Sequence, residues 1–312
     1  MAIAYSETPD NFDDIKSYVK SDVKDIKSLF FRSGRVVFYD ACSFQRHSRL
    51  QEQERNILIR YFKEHGSLIC ITRCVLMELI SDHHRLTEEY IQFIRCFHSE
   101  GVNVAVFDEE YTYGILSECF STNETVNGYL QWAVKTVKST VSTIEETLKK
   151  DKTLFSEAIQ SEKVKQPDLY YRFFHTVREN KQHDDNLGEE LIAVCTHILS
   201  HLPGVPDGKL CVVTDDKGAA GKIDSSMRKT HPCNRGSRII LYSTPKLVQN
   251  MFREKLIESE EEMVNLLSCG TSGNIVVMGT TAYDLDVDHK ISLTGRELAQ
   301  IIIEPNSIHI VF

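Results

Sequence analysis

The sequence has no long hydrophobic run and no excess of positive charge. Among its 312 residues, no apolar stretch approaches the length of roughly 18 to 20 residues that a membrane-spanning helix needs. Residues 1–21 carry Asp10, Asp13 and Asp14 and lack the apolar core of a signal peptide. We therefore expect a cytoplasmic protein without membrane contact.

Paired cysteines are also missing. The nine cysteines are scattered singly through the chain and form no CxxC pair. An odd number without pairing favours free thiols in a reducing compartment over disulfides. The closest approach to a zinc site is His231 with Cys233, which has no second pair at ligand spacing, so we expect no zinc.

The charge and the missing phosphate motif exclude two further classes. A net charge of −9 argues against a protein that coats nucleic acid over a large surface. No GxxxxGK[ST] loop is present, which disfavours a P-loop ATPase. With 41% hydrophobic and 26% charged residues, the composition is that of an ordinary globular protein.

What the sequence does have is an alternation of short apolar runs with amphipathic stretches. Apolar runs at 36–39, 68–71, 102–107 and 210–213, of which the third contains one polar residue, Asn103, predict strands that are covered on both faces, as in a parallel sheet. The stretches between them predict crossover helices, which makes the fold class α/β. A further strand is predicted at 238–242, before a helix that begins at Thr244 and Pro245.

The same pattern divides the chain into three parts. We predict a helical segment over 1–32, an α/β domain over 33–255 with a helical insertion at about 115–182, and a small α+β appendage over 256–312. The appendage is predicted to be β-rich, with a strand at 300–303. We interpret 217–238 as a loop, and the aromatic stripe at 170–174 as core packing.

Four acidic residues stand out because they lie at the end of a predicted strand or on a predicted helix. Asp40 ends the first strand, Glu78 lies on the helix after the second, Glu189 opens a later helix, and Asp216 follows the fourth strand. Converging carboxylates are costly to desolvate unless a cation neutralises them. Oxygen ligands suit a hard cation such as Mg²⁺ or Mn²⁺. Taken singly, each acid is also typical of a helix N-terminus or a strand end.

Taken together, the four segments resemble the PIN domain family of metal-dependent ribonucleases. The resemblance covers residues 33–255 and implies a three-layer α/β/α domain with an acidic pocket at the carboxyl ends of the strands. It implies that Asp40, Glu78, Glu189 and Asp216 are catalytic and hold Mg²⁺ or Mn²⁺, with Asp40 and Asp216 as the best direct ligands. The implied reaction is hydrolysis of RNA phosphodiester bonds to a 5′-phosphate and a 3′-hydroxyl.

The chain departs from the family pattern in three ways. The insertion is longer than in compact members. Asp40 is followed by Ala-Cys-Ser rather than the Thr-Asn that is often seen, so we expect the Ser43 hydroxyl to orient it. Adjacent acids at 189–190 and 215–216 leave the register open by one residue. The supporting residues that we consider are therefore Ser43, Thr214, Asp215, Glu190 and Asp185.

The cations after Asp216 are candidates for contact with substrate phosphates. They are Lys217, Lys222, Arg228, Lys229 and Arg235. We expect RNA as the partner, with single-stranded DNA as an alternative substrate. A homo-oligomer, an inhibitory protein partner and a role as a regulated toxin stay open, because they rest on family analogy alone.

Three other interpretations of the sequence are open. A histidine, His183 or one of the pair His83 and His84, could act as a general base in place of metal chemistry. The chain could be a catalytically inactive PIN-like scaffold or protein-interaction module. It could also be another α/β phosphohydrolase, although Cys42 occupies the second acid position of an Asp-x-Asp motif that begins at Asp40.

Overall fold

A computed structural model of the protein describes residues 5–137, 142–159, 163–183, 185–230, 236–271, 273–281, 284–304 and 308–312. Side chains are described for all of these except 226–230, 281 and 284–289. Strands and helices alternate from residue 19 to residue 253, and a smaller mixed unit follows. This alternation is the one expected for an α/β protein.

Six parallel strands form the central sheet. In chain order they are β1 (Val19–Lys20), β2 (Arg35–Tyr39), β3 (Ser67–Thr72), β4 (Asn103–Phe107), β5 (Leu210–Val213) and β6 (Ile240–Tyr242). Their order in space is β1-β4-β3-β2-β5-β6. The chain thus leaves β2 in one direction to β3 and β4 and resumes on its other side with β5. Such a reversal opens a crevice at the carboxyl ends of the two strands.

Helices connect the strands and flank the sheet. They are α1 (Val23–Arg32), α2 (Ala41–Ser48), α3 (Glu52–Glu64), α4 (Arg73–Leu79), α5 (Glu88–Ser99), α6 (Tyr111–Leu116), α7 (Asn123–Val137), α8 (Thr143–Lys150), α9 (Lys152–Ile159), α10 (Leu169–Glu179), α11 (Leu187–Ser200), α12 (Lys217–Thr230) and α13 (Thr244–Arg253). Helices α3, α5 and α13 form one contacting group, and α7, α11 and α12 form another. The arrangement is compatible with a three-layer α/β/α fold.

The strands predicted from uninterrupted apolar runs are confirmed, and their register places the polar residues that follow them. The register pairs Tyr39 with Ile71 on one side and with Val213 on the other. All three residues are buried. Asp40 and Thr214, which come next along β2 and β5, therefore lie beside each other at the carboxyl edge of the sheet.

The prediction of a helical segment over 1–32 is wrong in part. A 3₁₀ turn at Phe12–Asp14 and the strand β1 precede α1, and Val19 of β1 pairs with Val104 of β4. A strand of two residues is too short to produce a recognisable apolar pattern. The N-terminal part of the chain therefore contributes to the central sheet.

The predicted loop at 217–238 is also corrected, because 217–230 form the helix α12. Gly218 and Gly221 lower helix propensity and concealed it. The Asp216 carboxylate compensates by accepting hydrogen bonds from the Gly218 and Ala219 amides at 2.5 and 3.1 Å, as an N-cap residue does.

The insertion consists of the helices α7, α8, α9 and α10, with non-helical connections such as residues 163–168 between them. Tyr170, Phe173 and Phe174 of α10 are buried, and the Tyr170 hydroxyl donates a hydrogen bond to the Val126 carbonyl at 2.9 Å. Tyr171, between them in sequence, is exposed. The aromatic stripe is therefore core packing, as predicted.

The C-terminal appendage is α+β, as predicted, with three strands where four were expected. It comprises α14 (Glu260–Ser268), β7 (Ile275–Thr281), β8 (Asp284–Leu293), α15 (Gly295–Ile303) and β9 (His309–Ile310). Strand β7 pairs antiparallel with both β8 and β9. Residues 300–303, predicted as a strand, belong to α15. Thr294 and Glu297 form a capping box there, and this local signal outweighs the β-branched run that follows it.

Several hydrogen bonds fix the appendage to the α/β domain, and those of Arg46 and Gln249 are among them. Arg46 of α2 donates from Nη2 to the Leu267 carbonyl at 2.6 Å. Gln249 of α13 donates to the Ile308 carbonyl at 2.9 Å and accepts from the Ile310 amide at 3.0 Å. The buried apolar residues of both parts belong to one continuous core.

The cysteines that the structure describes are all free thiols. His231 and Cys233, considered above as zinc ligands, lie outside the described residues. Among the helices of the described part, none combines the length and the apolar character needed to cross a bilayer.

A buried charge cluster around Arg178 ties the insertion to the sheet. Arg178 of α10 is 3% exposed and donates to Asp108 at 2.8 Å, Glu109 at 2.5 Å and Glu7 at 3.0 Å. Glu109 also accepts from the Cys74 amide of α4 at 2.9 Å. The end of β4, helix α10 and helix α4 are thus held together by one guanidinium group.

We expect the substitution Arg178→Met to lower the free energy of unfolding by about 3–5 kcal/mol, because it leaves the buried Glu109 without its cation and leaves Asp108 with Arg73 alone. Arg172→Met is the matched control. Arg172 lies on the same helix and also has two carboxylate partners, Glu157 and Asp168, but it is more exposed. Its loss should cost less than about 1 kcal/mol. Urea unfolding of both variants measures the difference, and equal losses would contradict the assignment.

Candidate active site at the carboxyl edge of the sheet

A cavity of about 250 Å³ lies at the carboxyl edge of the sheet, where the strand order reverses between β2 and β5. Its lining includes two basic side chains, Lys181 and His183, and five carboxylates, which are Asp40, Glu78, Asp185, Glu189 and Asp216. The structure therefore brings together all four acids that the sequence singled out as catalytic. They come from the end of β2, from α4, from the first turn of α11 and from the start of α12.

Asp40 is buried and caps α2. Its Oδ1 accepts a hydrogen bond from the Ala41 amide at 2.8 Å, and its Oδ2 accepts from the Cys42 thiol at 2.9 Å and the Thr214 hydroxyl at 3.0 Å. Thr214 thus contacts the carboxylate as a supporting residue should. The expected role of Ser43 is corrected. Its hydroxyl is fully buried 3.9 Å from the Cys42 sulfur, and Cys42 makes the contact with Asp40 instead.

The adjacent acids Asp215 and Asp216 have different surroundings, and these show which of the two faces the cavity. Asp216 lines the cavity. Asp215 accepts hydrogen bonds from the amide and hydroxyl of Thr244 at 2.7 and 2.6 Å and pairs with Arg46 at 3.2 Å. Burial opposes its charge, but Arg46, His47 and Thr244 prevail and lower the pKa of Asp215. Asp215 therefore joins β5 to α2 and α13 and is not a ligand candidate.

Glu189 and Glu190 also have different surroundings. Glu189 lines the cavity, and its Oε2 lies 3.3 Å from Nζ of Lys222. Glu190 is buried, and its Oε2 accepts from the Ile144 amide in the first turn of α8 at 3.1 Å. Its Oε1 lies 3.6 Å from Lys222. Glu190 therefore fastens the insertion, and Glu189 is the acid that faces the cavity.

Glu78 reaches the cavity between α4 and the first turn of α11. A Cβ atom added to Gly188 of α11 would lie 2.6 Å from Oε1 and 3.0 Å from Oε2 of Glu78. Any side chain at 188 would displace this carboxylate, so the close approach requires glycine. The ammonium group of Lys181 also contacts Glu78, with Nζ 2.9 Å from Oε1.

Asp185 organises the turn that precedes α11. Its Oδ1 accepts from the Lys181 ammonium at 2.7 Å and the Leu187 amide at 3.1 Å, and its Oδ2 accepts from the Gln182 amide at 2.6 Å. His183 lies in the same turn and lines the cavity. Of the histidines considered as general bases it is the one placed there, since the cavity lining does not include His83 or His84.

Repulsion and burial together disfavour the charged forms of these acids. Burial raises the pKa of Asp40, and the charge of Asp216 adds to it. Burial raises the pKa of Glu78 to about 7 against the opposing charge of Lys181. For Glu189, burial and then the charge of Asp216 raise the pKa to about 7. The cavity is therefore short of positive charge.

The acids suit a divalent cation in kind and in charge. Five carboxylates line the described part of the cavity together with one ammonium group, Lys181. A second ammonium group, Lys222, lies outside the lining and pairs with Glu189 and Glu190, so negative charge is in excess when all of these groups are ionised. As the side chains are placed, no group of three or more His, Cys, Asp or Glu among the described residues could hold a metal ion. Binding therefore requires side-chain rotation, which the long side chains of Glu78 and Glu189 permit.

The candidate phosphate-binding cations are placed less favourably than the acids. Lys217 is exposed in the first turn of α12, directly after Asp216. Lys222 is ion-paired with Glu189 rather than open to a phosphate. The side chains of Arg228 and Lys229, and the whole of Arg235, lie outside the described residues.

Three residues of the site were not anticipated in these roles from the sequence, namely Lys181, Gly188 and the Asp40-binding thiol of Cys42. Lys181 and Asp185 are four residues apart, but the polar stretch around them is typical of a solvated loop. A glycine next to the first acid of a helix was the one local signal at Gly188. The need for glycine at this position depends on Glu78, which is distant in sequence.

Comparison of the chain with protein-family models, with curated proteins and with solved structures found no match. Function must therefore be inferred from the side chains of the cavity. The charged and basic ones among them are five acids, a lysine and a histidine, at the carboxyl edge of the parallel sheet.

We expect Glu189→Gln to stabilise the metal-free protein at pH 8 by about 1–2 kcal/mol and to have little effect at pH 5. Because the pKa of Glu189 is raised to about 7 in the folded state, the wild type keeps its full stability below the ordinary carboxyl pKa and loses stability as the pH rises through 7. Glutamine has no proton to lose and removes this decline.

Urea unfolding at both pH values, in the presence of EDTA, measures the effect. Glu258→Gln is the control, because Glu258 is exposed and lies outside the cavity. A Glu189→Gln variant that is no more stable than the wild type at pH 8 would show that repulsion in the cavity is not costly.

Proposed function

We propose that the chain is a PIN-like endoribonuclease that hydrolyses RNA phosphodiester bonds with Mg²⁺ or Mn²⁺. The observation that carries the proposal is the meeting of Asp40, Glu78, Glu189 and Asp216 in one cavity. They are far apart in sequence, and they converge where an open parallel sheet binds its ligands. The order of acids and the α/β architecture both agree with the resemblance seen in the sequence.

The residues proposed to hold the ion are Asp40, Glu189 and Asp216, with Glu78 at the edge of the set. Asp40 is held in place by Thr214 and Cys42, and one oxygen of Asp216 is held by the backbone of α12. Fixed carboxylates of this kind need little ordering when a cation binds. When bound, Mg²⁺ or Mn²⁺ would supply a water of lowered pKa and neutralise charge on the phosphate.

The remaining groups support an RNA strand rather than a free phosphomonoester. The cavity is open, and Lys217 stands exposed beside Asp216 at the start of α12, where a neighbouring phosphate would lie. His183 lines the same cavity and is a candidate to accept or donate a proton near the leaving oxygen.

A second candidate function is an inactive PIN-like scaffold that binds another protein. Two observations favour it. Lys181 and Lys222 already pair with acids of the cavity, and the described side chains do not stand at metal-ligand spacing. A scaffold would gain no stability from Mn²⁺, whereas a protein that binds the ion only when folded must gain it.

The deciding experiment is cleavage of mixed cellular RNA and single-stranded DNA by the purified protein with Mn²⁺ or Mg²⁺. We expect RNA cleavage that EDTA abolishes and that Asp216→Asn lowers at least about a hundredfold, because this variant removes a proposed ligand while keeping the size of the side chain. Glu258→Gln, at an exposed acid away from the cavity, should retain full activity.

Melting temperature with and without Mn²⁺ provides the second measurement. We expect Mn²⁺ to raise it in the wild type and in Glu258→Gln, and not in Asp216→Asn. A wild type that cleaves neither substrate and melts at the same temperature with and without Mn²⁺ would exclude the nuclease and favour the scaffold.

A further inference from the structure

A second cavity, of about 470 Å³, lies along β6 at the edge of the central sheet. It is larger than the acidic cavity, and no described residue lines both. Its apolar wall is formed by Ile239, Ile240 and Leu241, at the start of β6, and by Val311, which follows β9. A cavity of this size with an apolar wall and a few polar groups is typical of a small-molecule site.

The turn before β5 shapes this cavity and fixes one of its cations. Gly208 has a φ of +78°, and a Cβ atom added to it would lie 2.9 Å from Cδ1 of Ile240, so glycine is needed there. The Gly208 amide donates to the Arg238 carbonyl at 2.8 Å, and Asp207 accepts from the Arg238 amide at 2.7 Å. The backbone of Arg238 is therefore fixed, while its side chain is exposed.

Lys246 provides the second cation, from the first turn of α13. It is half-buried, and its Nζ lies 5.8 Å from the centroid of the Tyr242 ring. Among the described residues, neither Lys246 nor Arg238 has a carboxylate at ion-pair distance from its side chain. Burial, and then the like charge of Arg238, lower the pKa of Lys246 to about 8. Two neighbouring cations without an acid between them are suited to an anion.

Two acids in the lining leave these cations unpaired. They are Asp207 and Asp224. Asp207 uses Oδ1 to accept from the backbone amide of Arg238 rather than from its guanidinium group, and Asp224 takes part in an interaction of its own.

Further basic groups lie beside Lys246 on the appendage. The charges of Arg253 and Lys246, together with burial, lower the pKa of His309 in β9. Nη1 of Arg253 lies 3.2 Å from Nδ1 of His309. Basic side chains from β9, from α13 and from the segment before β6 thus gather at this edge of an otherwise acidic protein.

We propose that this cavity binds a phosphate monoester, with the phosphate bound by Lys246 and Arg238 and the organic part packed against Ile240 and Leu241. A phosphate monoester carries close to two negative charges at pH 7, which matches two unpaired cations. A guanidinium group is also well suited to binding two phosphate oxygens at once. The site is separate from the acidic cavity, so the inference goes beyond the proposed nuclease function and does not depend on it.

Isothermal titration at pH 7 in the presence of EDTA tests the inference with two probes, phenyl phosphate and adenosine 5′-monophosphate. We expect the wild type to bind at least one of them more tightly than inorganic phosphate, because the apolar wall contributes. The tighter probe shows whether the site favours a nucleotide or a simpler ester. Lys246→Met and Arg238→Met should each weaken binding about ten- to a hundredfold, since each removes one charged partner of the phosphate. Lys24→Met, at an exposed lysine of α1, should bind as the wild type does.

The melting temperatures show whether a loss of binding has a local cause. Lys246→Met removes a half-buried charge that has no acid partner in the described structure, so it should melt no lower than the wild type. If it does melt lower, Arg238→Met carries the test, because that side chain is exposed. A wild type that binds neither probe, or cation variants that bind with unchanged affinity, would overturn the inference. Neither result bears on the nuclease proposal, because no divalent ion or RNA is present.

Discussion

Five carboxylates share a cavity of about 250 Å³, and their mutual repulsion is offset in the described structure by two ammonium groups. Burial raises the pKa of Asp40, Glu78 and Glu189, so the folded chain holds these acids at a cost in stability. A sequence under pressure for stability alone would replace them with neutral residues. Acids retained against such a cost are typical of ligand sites, where stability is given up for function.

The architecture around the cavity shows how that cost is contained. In each pair of adjacent acids, one member builds the scaffold and the other faces the cavity. Asp215 joins α2 to α13 through Arg46 and Thr244, and Glu190 fastens the first turn of α8. Charge is therefore not spread evenly along the edge of the sheet. It is compensated wherever an acid is structural and left uncompensated beside Asp40 and Asp216.

Much of the fold could be predicted from the sequence, because a buried parallel strand is recorded in a continuous apolar run, as at 36–39 and 210–213. The features that escaped prediction depend on few residues or on distant ones. Strand β1 has two residues, and α15 is set by the capping box of Thr294 rather than by its isoleucines. Three acids of the site were recognisable because each follows a strand or opens a helix, whereas Glu78 lies near the end of the short helix α4.

Lys181 was not recognisable in this way. Its place in the site depends on contact with Glu78, about a hundred residues earlier in the chain, and on the anchoring of α10 by Arg178. Neither contact produces a local sequence pattern. Gly188 is the same kind of residue, since its lack of a side chain matters only because Glu78 lies against it. A sequence pattern indicates the helix or strand to which a residue belongs, whereas a site is formed by contacts between different helices and strands.

The balance of charge also bears on how an acidic protein could act on RNA. With a net charge of −9 and an acidic cavity, the chain repels phosphates over most of its surface. A bound divalent ion would reduce the negative charge beside Asp40 and Asp216, and Lys181 already offsets part of the charge of Glu78 and Asp185. Under the proposed function, binding of the ion and binding of the substrate are therefore coupled. A cavity that repels RNA until it holds the ion would restrict cleavage to the loaded protein, and the short reach of the exposed Lys217 suits one or two phosphates rather than a long duplex.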